Sequence, residues 1–301
     1  MRSIIKYTLL ALLLLLPLTA LGAEALKLKY ATGIYQDDKE GQLKQPEGVA
    51  CNDKGVLIVA DTGNGRLLRY TYQDKAAKGG TEIKVAQLAY PVRVQLNSKG
   101  DIFVLDGKSH TVVRLNPDGG FVGTVDPKGI TDPAKVVVKS FKIDASDNVY
   151  LLDIYGERVL QVDPSGKLLG KIPFPKGYGF ISDLAVTAGG DVLLIDSVNS
   201  VIYSAKKEKP EFTPLTKSMR DYMNFAGYIV TGPSGGEIYL LDQDGGAIVA
   251  VGPDGSFQGR QLSLGWKPGF LYYPSQLCIA KNDFFIADRN NSRVQVFENV
   301  K

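Results

Sequence analysis

Val56-Leu-Ile-Val-Ala-Asp61 is an apolar run closed by an aspartate, and the arrangement returns five more times. The others are Ile102-Phe-Val-Leu-Asp106, Val149-Tyr-Leu-Leu-Asp153, Val192-Leu-Leu-Ile-Asp196, Ile238-Tyr-Leu-Leu-Asp242 and Phe284-Phe-Ile-Ala-Asp288. Successive aspartates are 45, 47, 43, 46 and 46 residues apart. Each run is short and rich in β-branched and aromatic residues, with no helical period around it, so each reads as a strand. A repeat of about 40–50 residues is the size of a four-stranded propeller blade.

Working outward, each unit has the same parts. A short strand such as Gly48-Val-Ala-Cys51 or Val92-Arg-Val-Gln-Leu96 comes first, then a polar turn, then the Asp-ending strand. A turn such as Asp61-Thr-Gly-Asn-Gly-Arg66 leads to a third strand, Leu67-Leu-Arg-Tyr70, and a fourth leads out. Asn116-Pro-Asp-Gly-Gly120, Asp163-Pro-Ser-Gly166 and Gly252-Pro-Asp-Gly255 fall at matching places in units two, three and five. Proline presets φ there and glycine supplies the left-handed conformation of a hairpin, so these clusters read as turns rather than metal loops. The expectation is an all-β chain: a six-bladed β-propeller with four-stranded antiparallel blades.

The chain has 301 residues, 44% hydrophobic and 22% charged, an ordinary globular composition. Arg2 and Lys6 lead into an apolar run from Tyr7 to Leu16, then Pro17 and a small-residue stretch to Ala25. This pattern predicts a cleaved secretory signal peptide over residues 1–25, with cleavage after Gly22, Ala23 or Ala25. The run is too short for a membrane anchor, which needs about 20 apolar residues. Residues 26–301 then form one domain, with no membrane span in the mature chain. Formal net charge is +3 and falls to about +1 without Arg2 and Lys6, so nucleic acid is not expected as a partner.

Gln45-Pro-Glu-Gly-Val-Ala-Cys-Asn-Asp-Lys-Gly-Val-Leu-Ile-Val-Ala-Asp-Thr-Gly-Asn-Gly-Arg66 resembles an NHL repeat, as does Tyr273-Pro-Ser-Gln-Leu…Phe-Ile-Ala-Asp288-Arg-Asn-Asn-Ser-Arg-Val-Gln-Val-Phe297. Both carry the Pro, the Ala-Asp and the Asn-x-Arg of that motif. Unit two keeps Pro91 and Asp106 but has Ser109-His110-Thr111 where Asn-x-Arg would lie, and units three to five keep mainly the strand pattern and the Asp. The resemblance covers about residues 26–299. It implies a six-bladed propeller and says little about activity.

The last unit ends near Phe297 without a fourth strand, and Leu26-Lys-Leu-Lys-Tyr-Ala-Thr-Gly33 alternates apolar with polar. That segment is expected to pair with residues 293–297 and close the ring, protecting an exposed edge. Cys51 and Cys278 lie on the first strands of units one and six, which become neighbours on closure. They point to opposite faces of equivalent strands. The reading favours two buried free thiols and leaves a disulfide open, because the gap between blades could exceed the bridging limit of about 7 Å between Cα atoms.

Registering the units on Pro46, Pro91, Val138, Ile181, Ala226 and Pro274 places a ring of residues two positions on, at one mouth of the channel. The ring reads Gly48, Arg93, Ser140, Asp183, Tyr228 and Gln276. Two places further in it reads Ala50, Gln95, Lys142, Ala185, Val230 and Cys278. Converging polar groups at a concave mouth suit a ligand; the competing reading is that they solvate the channel and bridge blades. The long loops entering the first strands carry Phe174, Tyr178, Phe180, Tyr222, Phe225, Trp266, Phe270, Tyr272 and Tyr273 among several lysines and Arg220. Rings beside cations suit a sugar, an anionic small molecule or a peptide, although for any one ring the favoured reading is that it caps the space between blades. The candidate ligand-binding set is Arg93, Asp183, Tyr228, Gln276, Trp266, Tyr272 and Tyr222.

No catalytic set emerges. His110 is the single histidine and reads as a turn residue. Propeller lyases of the peptide-amidating type use several histidines around zinc, and propeller lactonases use carboxylates and asparagines around a divalent ion. The two inner rings offer only Asp183 as a carboxylate. No metal site or cofactor is expected, and the six repeated aspartates read as turn-makers. The function expected is an exported, periplasmic or extracellular (secreted) binding scaffold for a protein, peptide or sugar-like partner. The alternatives are a lyase or lactonase using Arg93, Asp183 and Tyr228, and a structural assembly module.

Overall fold

The structure is a computed structural model and describes residues 26–130, 133–233 and 235–300. The segment read as a signal peptide lies outside them.

Six four-stranded antiparallel sheets follow one another along the chain. Blade 1 runs from Gly48–Cys51 through Val56–Asp61 and Arg66–Gln73 to Ala76–Ile83. The innermost strands of blades 2 to 6 are Pro91–Leu96, Val138–Ile143, Ile181–Val186, Ala226–Thr231 and Pro274–Ala280. Each second strand is the predicted Asp-ending run. Blade 6 takes its outer strand from the other end of the chain: Leu28–Ile34 pairs antiparallel with Arg293–Asn299, Leu28 opposite Asn299 and Ile34 opposite Val294. The expected ring closure is therefore present.

The second strands are apolar throughout because both of their faces are covered. Side chains alternate across a strand, so Ile102 and Val104 join an apolar cluster shared with blade 1, while Phe103 and Leu105 join one shared with blade 3. One such cluster fills each gap between neighbouring blades. The outer strands face water, as in Lys209–Pro214, where Phe212 alone is buried.

The repeated aspartates tie three segments of each blade together. Asp106 is buried and accepts backbone N–H bonds from Ala89 and Tyr90 of the entering loop and from Lys108 and Ser109 of the following turn. Asp196 does the same with Gly179, Phe180, Val198 and Asn199. Arginines complete the arrangement at 2.8 Å (Arg66–Asp61), 2.9 Å (Arg158–Asp153) and 2.7 Å (Arg293–Asp288). The fourth residue after each aspartate is left-handed: Gly65, His110, Glu157, Ser200, Gly246 and Ser292 have φ of 64°, 56°, 48°, 56°, 59° and 51°. His110 is a turn residue, as read, and it does one thing more. Its Nδ1 lies 3.2 Å from the Val138 carbonyl of the next blade. Thr62 donates to the equivalent Pro91 carbonyl at 2.7 Å, and Ser197 donates to that of Ala226. These bonds pin each turn to the start of the following blade.

Cys51 and Cys278 form a disulfide across the gap between blades 1 and 6, with Cα atoms 5.9 Å apart. The free-thiol expectation is corrected. The opposite-face geometry was right, and the two strands pass close enough to be bridged.

Candidate functional site

Five of the six innermost strands carry a register shift just after their first residue, at Pro91/Arg93, Val138/Ser140, Ile181/Asp183, Ala226/Tyr228 and Pro274/Gln276. A bulge re-aims the side chain beside it, and in each blade that residue belongs to the ring read at the channel. Blade 1 has no shift and holds Gly48 there, opposite Ala60. A Cβ on Gly48 would meet Val94 Cγ1 at 3.2 Å and Ala60 Cβ at 2.9 Å, so glycine permits the close approach of blade 2.

The ring is largely closed upon itself. Asp183 is wholly buried and accepts from Ser140 Oγ at 2.5 Å and from the Ile229 N–H at 2.9 Å. Its ion-pair partner is Lys142, at 3.3 Å. Lys142 Nζ also sits 3.5 Å from the centroid of the Tyr228 ring. Tyr228 accepts from Gln95 Nε2 across the channel at 3.3 Å. Gln276 donates to the Val94 carbonyl at 2.7 Å and accepts from the Val94 N–H at 3.2 Å, linking blade 6 to blade 2. Asp183, Tyr228 and Gln276 thus bridge blades.

Arg93 is different. It stays half-buried at the mouth, its guanidinium 5.6 Å from the Tyr228 centroid. Its Nη1 donates to the Val92 carbonyl at 3.1 Å, while its Nε is buried with no partner. Beside it, on the next blade, Lys139 Nζ lies 4.9 Å from the Phe180 centroid. Burial lowers the Lys139 pKa, and the Arg93 charge lowers it further, against the opposing pull of Asp183 and Glu47.

The loop aromatics divide into two groups. Phe174 and Tyr178 meet edge to face at 5.5 Å and pack on the cluster between blades 3 and 4. Others are exposed: Trp266 at 76%, with Phe180, Phe270 and Tyr272, and also Tyr222, which is set against Phe257 just past the Gly252–Gly255 turn. Tyr222 stacks on Phe257 at 3.9 Å, Tyr272 meets Tyr273 at 5.6 Å, and Phe180 lies 6.2 Å from Phe225. The structure adds residues that the sequence reading passed over. Ile154, Tyr155 and Val198, in the turns after Asp153 and Asp196, are exposed, with Lys135 Nζ 5.0 Å from the Tyr155 centroid. Comparing the turns would have found them: the same positions hold Thr62-Gly63, Gly107-Lys108, Gln243-Asp244 and Arg289-Asn290 in the other blades.

The opposite face is not featureless. A cleft of about 610 Å³ opens there between blades 1 and 6, lined by Asn52, Lys54, Tyr72, Lys75, Lys281 and others. A second, of about 250 Å³, enters the channel below Tyr228 and Gln276, with the disulfide in its wall. Among the described residues no three His, Cys, Asp or Glu side chains gather as a metal site, and no helix is long and apolar enough to cross a membrane.

The NHL repeat model matches residues 43–70 and 271–297. Over 136 residues, 44% of this chain, the sequence is 31% identical to Protein brain tumor of Drosophila melanogaster, and that match spans 13% of the fly protein. Among solved structures, virginiamycin B lyase of Staphylococcus aureus aligns with 91% of this chain and 100% of its own, at TM-score 0.63 and 12% identity. A chain of a nidogen/laminin complex aligns with 81% of this chain and 86% of its own, at TM-score 0.60 and 16% identity. Identities this low establish a shared fold and nothing of shared chemistry. The chain thus carries NHL repeats at both ends of a ring that folds as a six-bladed β-propeller.

Proposed function

We propose that this chain is an exported, non-catalytic binding scaffold that takes a protein, peptide or sugar-like partner on the face formed by its long loops. The observation that carries the reading is the band of exposed apolar and aromatic side chains on that face, from Ile154, Tyr155, Phe180 and Val198 to Trp266 and Tyr272. Tyr155, Phe180, Val198 and Tyr272 are held by backbone bonds to the buried aspartates, so a partner meets a preformed surface there. Exposed apolar groups on a rigid scaffold are the common signature of recognition.

Export to the periplasm or the extracellular space is supported by the charged and apolar start of the sequence and by the Cys51–Cys278 disulfide, since such bonds persist in oxidising compartments. A lyase or lactonase reading would need Asp183 and Tyr228 to reach a substrate, and both are buried in bonds between blades. That favours recognition over catalysis at the mouth. Trp266→Ala and Arg93→Ala should each weaken an isolated partner by at least about 1 kcal/mol, as anchor truncations do. Asp118→Ala and Asp254→Ala, in turns of the opposite face, should leave affinity unchanged. The reverse pattern would overturn the proposal.

A further inference from the structure

Arg93 and Lys139 stand near the starts of the innermost strands of adjacent blades, Pro91–Leu96 and Val138–Ile143. A half-buried cation ordinarily recruits a carboxylate. Neither has one among the described residues. The carboxylates within reach are engaged elsewhere: Asp183 by Lys142, Ser140 and the Ile229 N–H, and Glu47 by Arg289 at 3.2 Å. The fold supplies two cations here and pairs the local anions with other groups.

Their surroundings hold both cations in place. The Arg93 guanidinium lies over Tyr228, and Lys139 lies over Phe180. Arg93 Nη1 is further steadied by the backbone carbonyls of Val92 and Glu47, at 3.1 and 3.5 Å, neither of which carries a charge to balance it. We infer that Arg93 and Lys139 form a receptor for a carboxylate, and that the partner of this face is an acidic peptide segment with apolar residues beside its acidic ones. This rests on the long-loop face being the binding surface. A carboxylate fits the fork of Arg93 in a bidentate pair, and Lys139 on the adjacent blade offers an ammonium to a second one. The peptide, rather than a small free acid, follows from the width of the apolar surround. Ile154, Tyr155, Phe180 and Val198 spread over blades 3 and 4 beside the mouth. A free dicarboxylate would leave them in water, whereas a chain with alternating acidic and apolar side chains covers them.

The test is selection of binders from a random-peptide phage library on the intact protein. Selected peptides should be enriched in Asp and Glu next to aromatic or aliphatic residues. Their affinity should fall by about tenfold or more in Arg93→Gln and Lys139→Gln, with Arg93→Lys retaining part of it and all three variants melting like the parent. Glutarate alone should compete only weakly. Selected peptides that are neutral or basic, or acidic ones indifferent to both Gln variants, overturn the carboxylate receptor. If those peptides are still lost in Tyr155→Ala or Trp266→Ala, the long-loop reading survives. If they are indifferent to both of these as well, both readings fall. Glutarate competing as strongly as the peptides replaces the peptide with a small acid and overturns that part of the inference.

Discussion

Asp183 of the fourth blade and Lys142 of the third meet at 3.3 Å in the centre of the channel, both almost wholly out of water. A buried pair of this kind adds little net stability, but removing one partner leaves the other charge stranded. Asp183→Ala should therefore destabilise the protein by about 3–5 kcal/mol in urea unfolding. Adding Lys142→Met should restore most of the loss. A single variant within about 1 kcal/mol of the parent would show that water, not Asp183, satisfies Lys142.

The Cys51–Cys278 bridge joins residues 227 apart and clasps the same two blades that the terminal strand closes. Cys51→Ser/Cys278→Ser should lower stability by about 2–4 kcal/mol, because cross-linking a long loop restricts the unfolded chain. Thiol titration of the parent under denaturing, non-reducing conditions should find no reactive thiol. Two thiols would remove the bridge.

Residues 28–34 contribute the outer strand of the last blade and should be indispensable to it. Without them the strand Arg293–Asn299 becomes an unpaired edge. A chain starting at Tyr35 should melt at a lower temperature and aggregate on concentration. An unchanged melting temperature would show that the ring holds without its closing strand.

Asp106 gives a pH signature. Burial alone would raise its pKa, but the N–H bonds from Ser109, Tyr90, Ala89 and Lys108 outweigh burial and hold it below the ordinary value of 3.8. A depressed folded-state pKa means stability that is present above the unfolded value and lost as the pH falls through the folded one. Asp106→Asn should be less stable than the parent at neutral pH by about 1–3 kcal/mol. The gap should narrow below about pH 4. A constant gap from neutral to acid would contradict this role.

The six-blade frame was legible because its signals are local and repeated: an apolar run, an aspartate and a turn, six times over. The ring closure was legible because Leu28–Ile34 alternates and the last unit lacked a strand. The channel was harder to read. The ring positions followed from register, but the partner of each ring residue depends on how far a side chain reaches across the axis. Asp183, read in the first ring, pairs with Lys142 of the second. The bulges that aim Arg93 and Tyr228 have no residue signature of their own, since Pro91, Val138, Ile181 and Ala226 have little in common. Distance across the gap between blades also has no trace in sequence, which is why the disulfide stayed open.

The central claim is that the long-loop face is where a partner binds. Site-specific photocrosslinking in the native host tests it most directly, with benzoylphenylalanine placed at Tyr155, Phe180 and Trp266 on that face and at Asp118, Ser165 and Asp254 on the other, all exposed or partly so. The account predicts one discrete adduct shared by the first three positions and absent from the last three. The same adduct arising only from Asp118, Ser165 and Asp254 would contradict it.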